Sequence, residues 1–260
     1  MGHVDHGKTT LLDALRDSKV VDTEFGGITQ KIGAFHNISE DGKRITYIDT
    51  PGHEAFSNMR IRGSQCTDLI VLVVSAADGI QQQTLEVINL AKSNNISILV
   101  AINKIDIPGV TPEDIEKELH EKGNLHLESF GGNIPVIHIS AKEMKNIDLL
   151  EELILFETEL LDLKETQDGF AEGTVLEARR SNSNEQKSCT IVVQKGTLKK
   201  GDIVVFGDNY CKIKQIRDDK VFVDSALPSH AVEVIGIKDL PKSGDIFFAV
   251  EDEITAELIC

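Results

Sequence analysis

The chain opens on Gly2-His3-Val4-Asp5-His6-Gly7-Lys8-Thr9-Thr10, and no other stretch constrains the fold as strongly. Gly2 and Gly7 are separated by four residues and followed at once by Lys-Thr and a helical pattern over residues 8–18. Glycines let a backbone wrap closely, so that successive N–H groups and a helix N-terminus converge on negative charge. The spacing GxxxxGK[ST] is that of a phosphate-binding loop, in which Lys8 reaches the terminal phosphates and the Thr9 hydroxyl ligates Mg²⁺. His3 and His6 also admit a metal pair, but their place inside the glycine frame favours the loop. Such a loop joins a strand to a helix, which predicts an α/β unit.

The pattern after the loop agrees. Strands are predicted at 34–38, 44–49, 68–75, 96–102 and 135–140, and helices at 82–93 and 146–163. The β-branched run 68–75 reads as a strand buried on both faces. Thr111-Pro112-Glu113-Asp114 is a helix start: Thr as N-cap, Pro in the first turn, acids at the positive end of the dipole. Alternating β and α implies a mostly parallel sheet with helices on both faces. Near Thr166-Gln167-Asp168-Gly169 the pattern becomes short β-rich runs, at 173–178, 188–193, 202–206, 211–216, 221–223, 231–235 and 245–250. The expected architecture is therefore an α/β P-loop NTPase domain over 1–166 and a small antiparallel β-barrel over 167–260. Residues 181–185 read as a polar loop.

Composition narrows the class. At 260 residues the chain has room for about two domains. Its 27 basic and 43 acidic residues give a net charge of −16, which argues against broad nonspecific DNA binding. The four cysteines form no CxxC pair, as in a chain kept in a reducing compartment. No apolar run is long enough to span a bilayer, so no membrane partner is expected.

Three further motifs sit beyond predicted strands, where open α/β sheets bind ligands. Asp49-Thr50-Pro51-Gly52 places a carboxylate at a strand end for Mg²⁺ and a glycine N–H for a γ-phosphate; the same four residues also suit a plain turn. Asn103-Lys104-Ile105-Asp106 places a carboxylate where it accepts from N1–H and the 2-amino group of guanine, a donor pair adenine lacks. Discrimination built on such bonds reaches roughly 10⁴–10⁵. A polar strand exit is the other reading. Ser140-Ala141-Lys142 offers backbone N–H groups to guanine O6, or is a small-residue loop. The order of the four motifs along the chain lifts each above its plainer reading.

Together with Gly27-Ile28-Thr29-Gln30-Lys31-Ile32-Gly33, His53-Glu54-Ala55-Phe56 and Met59-Arg60-Ile61-Arg62-Gly63, the set resembles the bacterial-type translation initiation factor two family of translational GTPases. Gly196-Thr197-Leu198-Lys199-Lys200-Gly201-Asp202 resembles that family's second, barrel domain. The resemblance implies GTP and GDP as ligands, with Mg²⁺ held by Thr9, Thr29 and Asp49. It implies that His53 aligns the attacking water beside an apolar gate of Val4 and Ile28, with electrostatic stabilisation rather than proton abstraction. The nucleotide would lie against Gly2 to Thr10, Asp49, Gly52, Asn103, Lys104, Asp106, Ser140, Ala141 and Lys142. It implies a ribosome-stimulated GTPase that acts as a monomer on both ribosomal subunits, with initiator tRNA held by domains outside this chain. A nucleotide-binding docking module without hydrolysis of its own is the alternative.

Two departures from the family pattern carry expectations. Met1 abuts the loop, so the strand that should precede it is expected upstream. Without about eight such residues, an ordinary strand length, nucleotide binding is expected to be poor. The loop after residue 180 lacks the family's glycine- and arginine-rich sequence, which points to a mitochondrial protein, with the bacterial cytoplasm as the alternative. Lys31, Arg60 and Arg62 are expected to form a basic face for the ribosome, or to be ordinary surface charge.

Overall fold

The computed structural model describes residues 1–16, 33–38, 42–53, 56–180, 187–219 and 221–260. They form two units: Met1–Lys31 with Asp49–Leu163, and Ile32–Ile48 with Lys164–Cys260. In chain order the first two strands, β1 (Gly33–Ile38) and β2 (Arg44–Asp49), make a two-stranded ladder. The body of this ladder groups with the second unit, and β2 ends on Asp49 of the first.

The sheet of the first unit runs β3 (Leu69–Ser75), β4 (Ser97–Asn103), β5 (Val136–His138), all parallel, with Leu69 opposite Ser97 and Ser75 opposite Asn103. Its helices are α1 (Lys8–Arg16), α2 (Ser57–Ser64), α3 (Gln82–Asn94), α4 (Pro112–Glu121) and α5 (Ile147–Leu160). Alternate side chains leave opposite faces of a strand. Ile70, Leu72 and Val74, with Ile98, Val100 and Ile102, share a core with Val87, Ile88 and Ala91 of α3 and Ile115 and Leu119 of α4. The intervening Val73, Leu99 and Ala101 are buried too. The helices α1 and α5 pack on one another, and α5 buries Ile147, Leu150 and Ile154. Both faces are therefore covered, which explains why these strands read as unbroken apolar runs. Met1 adds to the free edge of β3: its amino group donates to the Val71 carbonyl at 2.9 Å, and the Val73 N–H donates to its carbonyl at 2.9 Å. That is parallel pairing, one residue before the glycine loop.

The second unit is an antiparallel curled sheet. Its strands are β6 (Glu172–Arg180), β7 (Lys187–Lys195), β8 (Leu198–Lys199), β9 (Ile203–Phe206), β10 (Asn209–Lys212), β11 (Gln215–Asp218), β12 (Val221–Val223), β13 (Ser225–Ala226), β14 (Ala231–Ile235) and β15 (Ile246–Val250). Eight of them hydrogen-bond in the order β10-β9-β15-β6-β7-β14-β11-β12, and β8 pairs with β13. Their inward residues, including Val175, Ile191, Val204, Val234 and Phe247, form one core. The β1–β2 ladder packs on β14. Arg44 donates to both carboxylate oxygens of Asp218, at 3.0 and 3.3 Å, and the Thr46 hydroxyl donates to the Ser229 carbonyl.

The expected strand 211–216 is two strands. β10 pairs with β9 and β11 with β14, so the chain changes partners at Ile213-Lys214. Helix α2 and a terminal helix α6 (Glu253–Ile259) were not anticipated. The second is capped by Asp252, whose carboxylate accepts the Thr255 N–H at 2.7 Å. The polar loop 181–185 and the end of the helix expected over 8–18 lie outside the described residues. Among the described residues no helix is long and apolar enough to cross a membrane.

Candidate nucleotide-binding site

The glycine loop makes a single 3₁₀ turn, Val4–His6, between His3 and Gly7, and passes directly into α1. Its glycines are sterically required. Gly7 has φ 82°, and a Cβ there would lie 2.5 Å from Asn103 Nδ2. A Cβ on Gly2 would lie 2.3 Å from the Val73 carbonyl oxygen of β3. The His6 imidazole is fully buried and donates from Nδ1 to that same carbonyl at 3.2 Å. Burial pushes its pKa down to about 4, so the ring is neutral.

Lys8 is buried at the head of α1, and its ammonium donates to the His3 carbonyl at 2.5 Å. Burial is the first cause that lowers its pKa, from 10.5 to about 8, against the pull of Asp49. Asp49, at the end of β2, is itself buried, as is Thr50. Gly52 is pressed against the loop. A Cβ on it would lie 2.4 Å from Lys8 Nζ, 2.8 Å from the Val4 nitrogen and 2.9 Å from the Gly2 oxygen. The structure thus brings the first and second motifs together with backbone against backbone. Thr9 and Asp49 are hard oxygen donors beside this cradle, the chemistry Mg²⁺ takes together with substrate phosphates. The residues present fit that ion.

The third and fourth motifs meet through Asn103. Its side chain is 3% exposed, donates to the His6 carbonyl at 3.0 Å and accepts the Ala141 N–H at 3.0 Å. One amide therefore ties the glycine loop to the Ser140-Ala141-Lys142 loop. The Ser140 hydroxyl donates to Asp106 at 2.7 Å and accepts the Glu143 N–H at 3.1 Å. The Ser140 bond is the first cause holding the Asp106 carboxyl below its ordinary value. Lys104 adopts φ 67° and its ammonium bonds Asp78 at 3.1 Å, so it lies along the exit of β3.

His53 is exposed, with its ring edge-on to Phe56. Ile28, Thr29 and Lys31 lie outside the described residues. Arg60 corrects an expectation: it is not part of a basic surface but 2% exposed. It donates to the carbonyls of Pro51 and His53 at 3.1 and 3.0 Å, to the Ser57 hydroxyl at 3.0 Å and to Glu86. Charged side chains are seldom buried unless paired, and here the pairing is complete enough to allow it. Glu86, and Gln83, whose amide oxygen accepts His3 Nδ1–H at 2.7 Å, were also missed. Neither carries a signal beyond its place on an amphipathic helix.

Comparison with known proteins places this geometry. Residues 1–161 match the model of the elongation factor Tu GTP binding domain, and residues 170–250 that of elongation factor G domain 2. The chain is 48% identical over 260 residues to translation initiation factor IF-2 of Clostridium botulinum (strain Eklund 17B / Type B), covering 100% of this chain and 37% of that protein. It is 49% identical over 262 residues to the same factor of Paramagnetospirillum magneticum, covering 100% of this chain and 30% of that protein. The chain therefore spans only about a third of the length of these bacterial relatives. Among solved structures, GDP-bound aIF5B from Aeropyrum pernix superimposes with a TM-score of 0.76 at 30% identity, covering 99% of this chain and 54% of that one. Elongation factor SelB from Methanococcus maripaludis in complex with the GTP analogue GppNHp gives 0.72 at 25%, covering 97% and 54%. With that first model matched over well more than half of its residues, the chain belongs to the family of the elongation factor Tu GTP binding domain.

Proposed function

We propose that this chain is the GTP-binding and GTP-hydrolysing part of a translation initiation factor. The supporting observation is the Asn103 amide, which locks the phosphate loop and the base-side loop into one frame. In this reading the amides of Gly2 to Thr10, with Lys8, hold the phosphates. Thr9, Asp49 and Thr29 hold Mg²⁺, which when bound neutralises charge on the phosphate oxygens. The Gly52 amide meets the γ-phosphate. Asp106, held by Ser140, reads the two guanine donors, while Lys104, Ala141 and Lys142 line the base. His53 sits on the loop directly after Gly52 and swings in to align the attacking water, with Val4 and Ile28 flanking it. Aligning the water lowers the entropy cost of attack without a proton transfer to the ring.

The ribosome, through both subunits, is the proposed activator, and the factor acts as a monomer. Initiator tRNA would bind parts of the relatives' length that this chain does not span. The bacterial relatives favour a bacterial cytoplasm; they lend nothing to a mitochondrial address. The domain boundary is proposed near residue 166. Calorimetric titration of the chain with GTP and ATP in the presence of magnesium tests the reading. Saturable heat with GTP alone supports it. Heat with neither nucleotide, or equal heat with both, refutes it.

A further inference from the structure

We infer that Arg60 is a positioning residue for GTP hydrolysis, held on a ledge of α3 that also supports the phosphate loop. The inference rests on the GTPase reading above.

The loop from Pro51 to His53 bears the two groups that reading needs near the γ-phosphate, the Gly52 amide and the His53 ring. Nothing in its own sequence stiffens it beyond Pro51. Arg60, one helical turn into α2, reaches back with a single Nη1 to two of its carbonyls, Pro51 at 3.1 Å and His53 at 3.0 Å. The Pro51 carbonyl shares its peptide plane with the Gly52 N–H, and the His53 carbonyl lies two peptides further on. Two carbonyls fixed by one rigid planar group leave that amide plane little freedom to rotate. Nη2 is in turn anchored to Ser57 at 3.0 Å and to Glu86 of α3. Ser57 also donates to Glu86 at 3.4 Å.

Glu86 has a neighbour that gives this anchor its meaning. Gln83 lies three residues earlier on α3, so the two side chains share a face. Its amide oxygen accepts from His3 Nδ1 at 2.7 Å. One turn of α3 thus holds the phosphate loop through Gln83 and His3, and the catalytic loop through Glu86 and Arg60. The core residues Val87, Ile88 and Ala91 seat that turn on the sheet. A rigid helix that grips both loops sets the distance between the phosphates and the His53 backbone. Arg60 touches no reacting atom in this account; it acts on where His53 and Gly52 are.

Lysine cannot replace it. An ammonium is a point charge without the planar fork that spans two carbonyls, a hydroxyl and a carboxylate.

The test compares Arg60→Ala, Arg60→Lys and Glu86→Gln with wild type and with Lys117→Ala, exposed on α4, as a surface control. Each is measured for GTP affinity by calorimetry, for ribosome-stimulated kcat and for Tm. Misplacing a reacting group by about 1 Å costs on the order of 100-fold. Arg60→Ala and Arg60→Lys should therefore lower kcat by about 10- to 100-fold with Kd for GTP within about threefold. Glu86→Gln keeps a hydrogen-bond acceptor for Arg60 but removes its counter-charge, and should lower kcat by a smaller factor in the same pattern. Lys117→Ala should match wild type. If Arg60→Lys and Glu86→Gln both turn over at the wild-type rate, the inference is wrong. If they lower kcat and affinity only in step with a loss of Tm, Arg60 is structural and the inference is also wrong. Failure of the wild-type protein to bind GTP would instead sink the GTPase reading itself.

Discussion

Replacing Asn103 with alanine removes the only observed side-chain link between the phosphate loop and the Ala141 loop among the described residues. The structure sets the size of the effect. Both hydrogen bonds are 3.0 Å long, and the side chain is 3% exposed. A typical bond contributes about 1 kcal/mol net, whereas a buried partner left unpaired costs about 1–3 kcal/mol. Asn103→Ala strands two such partners, the His6 carbonyl and the Ala141 N–H. The vacated space lies against Gly7. A destabilisation of about 2–6 kcal/mol follows. Asn103→Asp is nearly isosteric and keeps the Ala141 bond, but sets a carboxylate oxygen against the His6 carbonyl. It should destabilise at least as much as alanine, which an account based on lost volume does not predict. Urea unfolding measures the first quantity. Calorimetry with GDP measures the second, where a loose loop should weaken binding at least tenfold, equivalent to about 1.4 kcal/mol. A change under about 0.5 kcal/mol in stability, with GDP affinity within twofold of wild type, would refute the reasoning.

Two other outcomes are expected. His53→Ala should abolish ribosome-stimulated turnover while GTP affinity stays within about threefold, since Arg60 holds this loop by its backbone carbonyls and those remain in the variant; full turnover by steady-state phosphate release would remove His53 from the mechanism. Lys8 predicts a pH dependence. Its pKa is about 8 here and 10.5 when unfolded. Between these values the unfolded chain holds more protons, so the Lys8 penalty is full below pH 8 and is relieved as pH rises toward 10.5. Phosphate contact restores the charge, so GTP binding near pH 8.5 should take up a proton. Calorimetry in two buffers of different ionisation heat should detect that uptake, and none at pH 6.5; equal enthalpies at pH 8.5 would contradict it.

What the sequence disclosed, and what it withheld, divides along physical lines. The glycine loop, β3 and β4 were legible because each is dictated locally: no Cβ fits at Gly2 or Gly7, and strands buried on both faces must be apolar throughout. Asn103, Asp106 and Ser140 were legible as a motif, although their bridging bonds were not. Helix α2 was hidden because the residues it buries are Arg60, Gly63 and Ser64, so it shows no apolar stripe. Arg60 was misread for the same reason: a lone arginine in a polar run reads as surface until the four partners that bury it are known. The grouping of β1 and β2 with the second unit depends on pairings such as Arg44 with Asp218, which lie 174 positions apart and leave no local trace. The two-residue strands β8 and β13 are too short to carry a period. The cap of α6 does leave a local trace, an Asp followed three residues later by Thr.

The most direct check on the whole account is the base preference of Asp106→Asn. The carboxylate that Ser140 orients should, once an amide, lose its hold on the guanine donor pair and donate from its NH₂ group to the 2-carbonyl of xanthine. Competitive titration should show GTP affinity falling by a factor approaching 10⁴ while xanthosine triphosphate becomes the preferred ligand. A variant that still favours GTP over xanthosine triphosphate would mean that Asp106 does not read the base.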